Sequence, residues 1–399
     1  MFLINKFNFT FRDLTFSLSD IFLALFAFVL PISLAISNVL LSLLCLSSLL
    51  EGKLAFSRIK FFQSKWMMSI CILALCYIAS YCKIVLMQKS FIEEDVYRSL
   101  SIIIILLSLP FLYYRDYSVH SIRFSSLSFL TSMFFSAIYA LLQPGISVKE
   151  FGIIHLDPNW PYSAFMQYND HNVFLAFAII LSFFFFLKLK SNLKLLMILY
   201  ISTYIFSLFN ERGAAGWAIT FIFFGLYSIY FFRKNIKMVF LTVSSIVFIG
   251  FLIYDNVPLV KHTVNHKVSQ INSDDRYELS NKTLKLILKQ PLIGYGIGSW
   301  REEFKNEYGS DFLNSSFHKT SHNNYLHIWM ELGALGLALL VSIFYFQIVE
   351  MHKKGFFYTL VPIMFLFLMF IDTYFMSPLG SLLYVLMSIL FTKYSCKHV

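Results

Sequence analysis

Thirty consecutive residues without a charge, Ile21–Leu50, form the first long apolar stretch of this chain, and comparable stretches recur along its length. A water-soluble domain has no place to bury so many. Overall, 58% of the residues are hydrophobic, 14% are charged, and the mean hydropathy is +0.69. In lipid every backbone N–H and C=O needs a partner within the protein, and helices supply it within each segment. The chain therefore reads as all-α, a single integral membrane domain over residues 1–399.

Taking about 17–25 residues per span, the apolar runs predict about twelve helices, roughly at 16–33, 35–50, 66–83, 98–113, 126–143, 171–187, 195–210, 213–232, 238–254, 325–349, 356–371 and 379–392. Pro31 lies within the first stretch, where two short helices or one bent hairpin both fit. The first apolar run follows Asp20 and leads into further spans, so no cleavable signal peptide is expected. None of the five cysteines lies in the long polar loop, which is therefore not stapled by disulfides.

The basic residues set the orientation. With the N-terminus inside, the inner segments hold 18 of the 32 Lys and Arg, including Lys53, Arg58, Lys60, Arg115, Lys188, Arg233, Lys234, Lys353 and Lys393. The outer segments hold Glu93, Glu94, Asp95, Asp170, Asp274, Asp275, Glu302 and Glu303. This positive-inside pattern predicts that both termini are cytoplasmic. It also accounts for the net charge of +10 without a nucleic-acid partner.

One outer loop, 255–324, is long and polar. Within it, Asp275–Gln290 carries Leu279, Thr283, Leu286 and Ile287 at helical spacing, which predicts an amphipathic helix near the membrane surface. Pro291 ends it and Gly294–Gly298 makes a turn. Residues 301–320 read as a polar, mobile stretch, and a new helix is expected to begin near Ser321 or Asn323.

Several outer features could carry chemistry. Arg212 sits between two apolar spans, where a guanidinium is costly without an anionic partner. It could clamp a phosphate or simply snorkel. Arg276 follows Asp274 and Asp275, a pattern that also suits an ordinary helix start. The GYGIG turn lacks the strand and the Lys-Ser/Thr that nucleotide loops require. His322, at the mouth of a span, could act as a base near neutral pH, or could be an interfacial residue beside the cap Asn323. The pairs His262/His266 and His318/His322 have metal-ligand spacing but no HExxH motif accompanies them, and no metal site is assigned.

Taken together, these residues resemble the O-antigen ligase/polymerase superfamily of bacterial envelope glycosyltransferases. The carriers are FNERGAAGWAITF (Phe209–Phe221), SDDRYELSNKTLKLILKQPLIGYGIGSW (Ser273–Trp300) and SHNNYLHIWMELGALGL (Ser321–Leu337), with a weaker patch at NDHNVF (Asn169–Phe174). The resemblance implies a donor glycan on undecaprenyl pyrophosphate at the periplasmic face of the inner membrane, and lipid A–core as acceptor. It implies no cofactor, a metal-independent reaction and membrane lipids as surroundings. It further implies that Arg212 and Arg276 bind the pyrophosphate, that His322 serves the acceptor hydroxyl, and that Asn323, Gly296 and Lys282 assist in substrate binding. An O-antigen polymerase fits the same motifs. A lipid-linked glycan transporter is disfavoured because the middles of the spans are nearly free of charge.

Overall fold

The computed structural model describes residues 17–50, 64–86, 92–113, 115, 117–142, 166, 168–188, 191–210, 213–256, 261, 264–265, 275–309 and 320–393. Every regular element among them is a helix. In chain order these are α1 (Leu18–Val29), α2 (Leu34–Leu50), α3 (Lys65–Leu86), α4 (Glu93–Tyr113), α5 (Val119–Leu142), α6 (Tyr168–Lys188), α7 (Ser191–Asn210), α8 (Ala214–Phe231), α9 (Ile236–Asn256), α10 (Asp275–Lys289), α11 (Trp300–Tyr308), α12 (Asn324–His352), α13 (Phe356–Ile371) and α14 (Pro378–Lys393).

Each apolar run read from the sequence becomes one helix. Eight of them, α3–α9 and α12, are long and apolar enough to cross a membrane, whereas α1, α2, α13 and α14 are shorter apolar helices. The first stretch resolves into two short helices, α1 and α2, which turn at 30–33 around Pro31 and pack on each other.

Polar groups sort the helix ends into two sets. At one end, buried Arg115, just past α4, reaches Asp20 of α1 at 3.3 Å and Ser48 of α2 at 3.4 Å. At the same end Glu350 of α12 accepts hydrogen bonds from Ser64, Trp66 Nε1 and Tyr113. The opposite end gathers the starts of α4, α6, α8 and α12 with the ends of α3, α7 and α13. Successive apolar helices therefore run up and down.

The centre of the bundle is α14, which packs on α2, α4, α5, α6 and α13 and is buried along its described side chains. It is fixed by polar bonds as well as by fit: Tyr384 donates to Gln347 of α12 at 2.7 Å, and Gln347 donates to Ser388 at 3.1 Å. Such interhelical bonds matter in lipid, where apolar contact alone does not distinguish a protein neighbour from a lipid tail. At the rim, α9 packs on α8 and leaves Phe240, Val247, Phe248 and Phe251 exposed.

Helix α12 is broken at Gly333, whose φ of 67° and ψ of −164° lie outside helical values. A side chain at this position would strike the Leu292 carbonyl at 2.2 Å, so only glycine fits. The break leaves carbonyls unpaired, and the Pro291–Gly298 turn satisfies them. Tyr295 N–H donates to Met330 O and Gly296 N–H to Glu331 O, at 2.8 and 2.9 Å. In return, the Pro291 carbonyl accepts from Ala334 N–H and Trp329 Nε1.

Two expectations about the outer loop need correction. Residues 300–308 form helix α11, because Trp300, Phe304 and Tyr308 recur every four residues and stack on one face. The apolar stripe of α10 also does not face a membrane surface. Leu279, Leu286 and Ile287 are buried in a small separate core with Tyr295, Trp300, Phe304 and Met330. Helices α10 and α11 thus form a cap seated on the start of α12.

Candidate functional site

The mouth of α12 is built by its capping residue. Asn323 has extended φ/ψ, and its side-chain oxygen accepts from the backbone N–H groups of Tyr325 and Leu326 at 2.9 and 3.1 Å. Its amide nitrogen reaches Phe370 O at 3.4 Å. Asn323 therefore spends its carbonyl oxygen on the helix end. The next residue, Asn324, is buried and accepts from Phe375 N–H at 3.1 Å, which ties the start of α12 to the segment after α13.

His322 precedes this cap with a left-handed φ of 50°, and it is the one non-glycine residue with positive φ among those described. Such a conformation is strained, and strain of this kind concentrates at sites where a side chain must be aimed. The side chain meets Asp372, just past α13, with Nδ1 2.9 Å from Oδ1. The two side chains are only 19% and 21% exposed. An ionised carboxylate can only accept, so Nδ1 carries the proton and the lone pair of the neutral ring lies on Nε2. Thr373 N–H holds the same Asp372 oxygen at 2.7 Å.

The start of α6 approaches this pair. Tyr374 donates to Asn169 O at 3.2 Å, and Asp170 lies within electrostatic reach of Asp372. Two residues on, buried Asn172 accepts from Gly216 N–H at 2.7 Å and donates to Leu208 O at 3.2 Å. A side chain at Gly213 would meet Asn172 Cβ at 2.6 Å, so the backbone of the α7–α8 junction lies directly on α6. Arg212 itself lies outside the described residues, but its neighbour Gly213 is at the same end of the bundle as His322.

The other candidates are placed as follows. Arg276 is in the first turn of α10, and its side chain lies outside the described residues. Its helix packs on α12 beside Leu326 and Trp329, a few residues beyond His322. Lys282 pairs with Glu278 at 2.6 Å and lies over the Tyr308 ring. Gly296 packs against α3, where a Cβ would meet Ile84 at 2.8 Å, so its evident role is backbone packing. His262, His266 and His318 lie outside the described residues. Among the described residues, no group of three or more His, Cys, Asp or Glu side chains could hold a metal ion.

A second polar cluster sits under the cap. Asp95 at the start of α4 holds Arg98 and Arg301 together, and Arg301 also reaches Glu94 at 3.1 Å. The Asp95 hydrogen bond raises the Arg301 pKa further, and the Glu307 hydrogen bond does the same for Lys289. Below them, Glu331 is 1% exposed inside α12, with His327 Nε2 at 3.5 Å. A small cavity lined by Asp95, Arg98, His327 and Glu331 leaves about 10 Å³ for a water centre, which is room for about one water.

Sequence reading missed Asp372 and Glu331. The signal for Asp372 was a lone carboxylate at a span end on the same side as His322. Glu331 stood inside a quoted motif, near the start of α12 and two residues before its break.

Residues 199–341 match the family model described as O-antigen ligase. The chain is also similar to an O-antigen ligase of Salmonella typhimurium, 27% identical over 165 residues. That match covers 39% of this chain and 40% of the relative's length. The matched family segment runs from α7 through the cap into α12, and so includes Arg212, Arg276 and His322.

Proposed function

We propose that the chain transfers a glycan from undecaprenyl pyrophosphate to lipid A–core at the periplasmic face of the inner membrane, a reading supported by the match of residues 199–341 to the O-antigen ligase family model and by the similarity to the Salmonella typhimurium O-antigen ligase. The observation that carries this reading is the His322–Asp372 pair, 2.9 Å apart at the bundle end that also holds Gly213 and the start of α10.

The proposed chemistry is one inverting displacement. An acceptor hydroxyl oxygen attacks the anomeric carbon while the bond from that carbon to the phosphate oxygen breaks. The hydroxyl proton passes to Nε2 of His322, and Asp372 stabilises the resulting imidazolium through Nδ1–H. The electron pair leaves with undecaprenyl pyrophosphate, whose added charge Arg212 and Arg276 neutralise. Pyrophosphate is a good leaving group, so positioning and charge neutralisation supply most of what catalysis needs.

Lipopolysaccharide gel profiles of a deletion strain, with and without the gene on a plasmid, test this. Loss of all O-chain bands, with lipid-linked polymer accumulating, is the expected result. A core bearing one repeat unit would identify a polymerase instead. An unchanged ladder would overturn both.

A further inference from the structure

Glu331 is a carboxylate buried inside a membrane-length helix, two residues before a backbone break. Ionisable groups in such places are costly and are retained for a reason. Its Oε1 accepts the Gly298 N–H at 2.7 Å, and the buried Tyr77 hydroxyl of α3 lies beside the same carboxyl group. Gly298 closes the turn that joins α10 to α11. The same turn is held to α12 by the Tyr295 and Gly296 N–H groups and to α3 by Ile297 N–H on Ser80 Oγ at 2.9 Å. Three consecutive amides, 296–298, are thus captured by three separate acceptor atoms, and two of these, the backbone oxygen and Oε1, belong to Glu331.

We propose that Glu331 is a positioning residue: its carboxylate latches the Gly298 amide, and through that turn it fixes the α10–α11 cap, and with it the helix that begins at Arg276, against the broken mouth of α12. The physical basis is the satisfaction of a buried donor: an amide left without an acceptor inside the protein pays its full desolvation cost. The Glu331 side chain supplies that acceptor for Gly298, beside the acceptors that Ser80 and two α12 carbonyls supply for the rest of the turn. Arg301 gripping Asp95 and Glu94 secures the far side of the cap to α4. The role in catalysis rests on the reading of Arg276 given above, whereas the latch itself does not.

The test combines hydrogen exchange with transfer, using the full chain in lipid nanodiscs. Three variants are compared at matched membrane levels: Glu331→Leu, which removes the acceptor; Glu331→Gln, which keeps a neutral one; and Ser80→Ala, which removes the neighbouring acceptor without touching α12. Peptides spanning 291–300 and 275–284 are followed. Loss of the latch should speed exchange in both peptides about tenfold in Glu331→Leu, the range expected for leaving a buried amide without its acceptor. Glu331→Gln should fall between Glu331→Leu and wild type, and Ser80→Ala should change the 291–300 peptide alone. Transfer of glycan to lipid A–core should fall in the same order as exchange rises, through kcat more than KM.

Unchanged exchange in Glu331→Leu would overturn the latch. Faster exchange with unimpaired transfer would overturn its role in positioning. Equal effects of Gln and Leu would overturn the hydrogen-bond account. If the wild-type protein transferred no glycan, the functional reading would fall, and the exchange data would still decide the latch.

Discussion

Replacing Asp372 with Asn isolates the electrostatic contribution of the His322 pair. Asn is isosteric and keeps an oxygen to accept Thr373 N–H, which Asp372 holds at 2.7 Å. The backbone after α13 should therefore stay in place. What disappears is the charge 2.9 Å from His322 Nδ1. Both side chains are less than a third exposed, so solvent screens the pair only in part. Exchanging a charged acceptor, worth about 1.5–3 kcal/mol, for a neutral one, worth about 0.5–1.5 kcal/mol, costs about 1–1.5 kcal/mol, which at 1.36 kcal/mol per decade is about a 5- to 13-fold loss of kcat. His322→Ala should lose more, about 100- to 10,000-fold, the usual span for removing a positioned base. Because Asp372 acts through His322, the double variant should be no slower than His322→Ala alone. The assay is transfer by the purified protein from lipid-linked glycan to lipid A–core, with initial rates at saturating acceptor. Wild-type rates in Asp372→Asn would refute the pairing argument, and losses that multiply in the double variant would show that the two residues act independently.

Three further outcomes are expected. Arg212→Ala and Arg276→Ala should each abolish transfer while membrane levels stay normal, and full activity in both would remove the pyrophosphate clamp. Gly294→Ala should lower thermal stability in detergent by about 1–3 kcal/mol from backbone strain alone, since its φ is 70° and an added Cβ would lie 2.5 Å from Gly333 N; an unchanged melting temperature would contradict this. Asn172→Ala should cost about 1–3 kcal/mol by stranding the buried Gly216 N–H, and Asn172→Asp, which keeps the acceptor, should recover part of it in the same melts.

Much of the fold was legible because lipid forces it to be. Each apolar run had to become a helix, and each did, even where Pro31 divided one stretch into two. The start of α12 was legible because an Asn cap has one local use, and Asn323 performs it. The centre of the bundle was not legible. Helices α14 and α9 are both apolar, yet residues 380–391 of the first are buried whereas the second packs on α8 and exposes Phe240, Val247, Phe248 and Phe251. In lipid, both a protein neighbour and an acyl chain call for apolar side chains, so hydropathy cannot separate them. The useful marks were small and polar residues such as Ser381, Ser388 and Gln347, which seek partners across helices. The apolar stripe of α10 misled for a related reason: its spacing identified a buried face but could not name what buries it. His322 stood out by its chemistry, whereas Asp372, fifty residues away, acquired meaning only when α13 returned beside α12. Arg212 and Arg276 were suggested by type and place.

The interruption at Gly333 also determines depth. A continuous helix of 29 residues would extend about 43 Å at 1.5 Å per residue, well beyond a hydrocarbon layer of about 30 Å. Residues 334–352 alone rise about 28 Å, nearly the full thickness of that layer. The segment from Asn324 to Leu332 is then free to turn with the cap at the level of the lipid headgroups. A donor tethered by its polyprenyl chain carries its pyrophosphate at that same level. In the proposed reaction, the break spares the substrate any climb out of the bilayer, because the protein's working end lies where the phosphates already are.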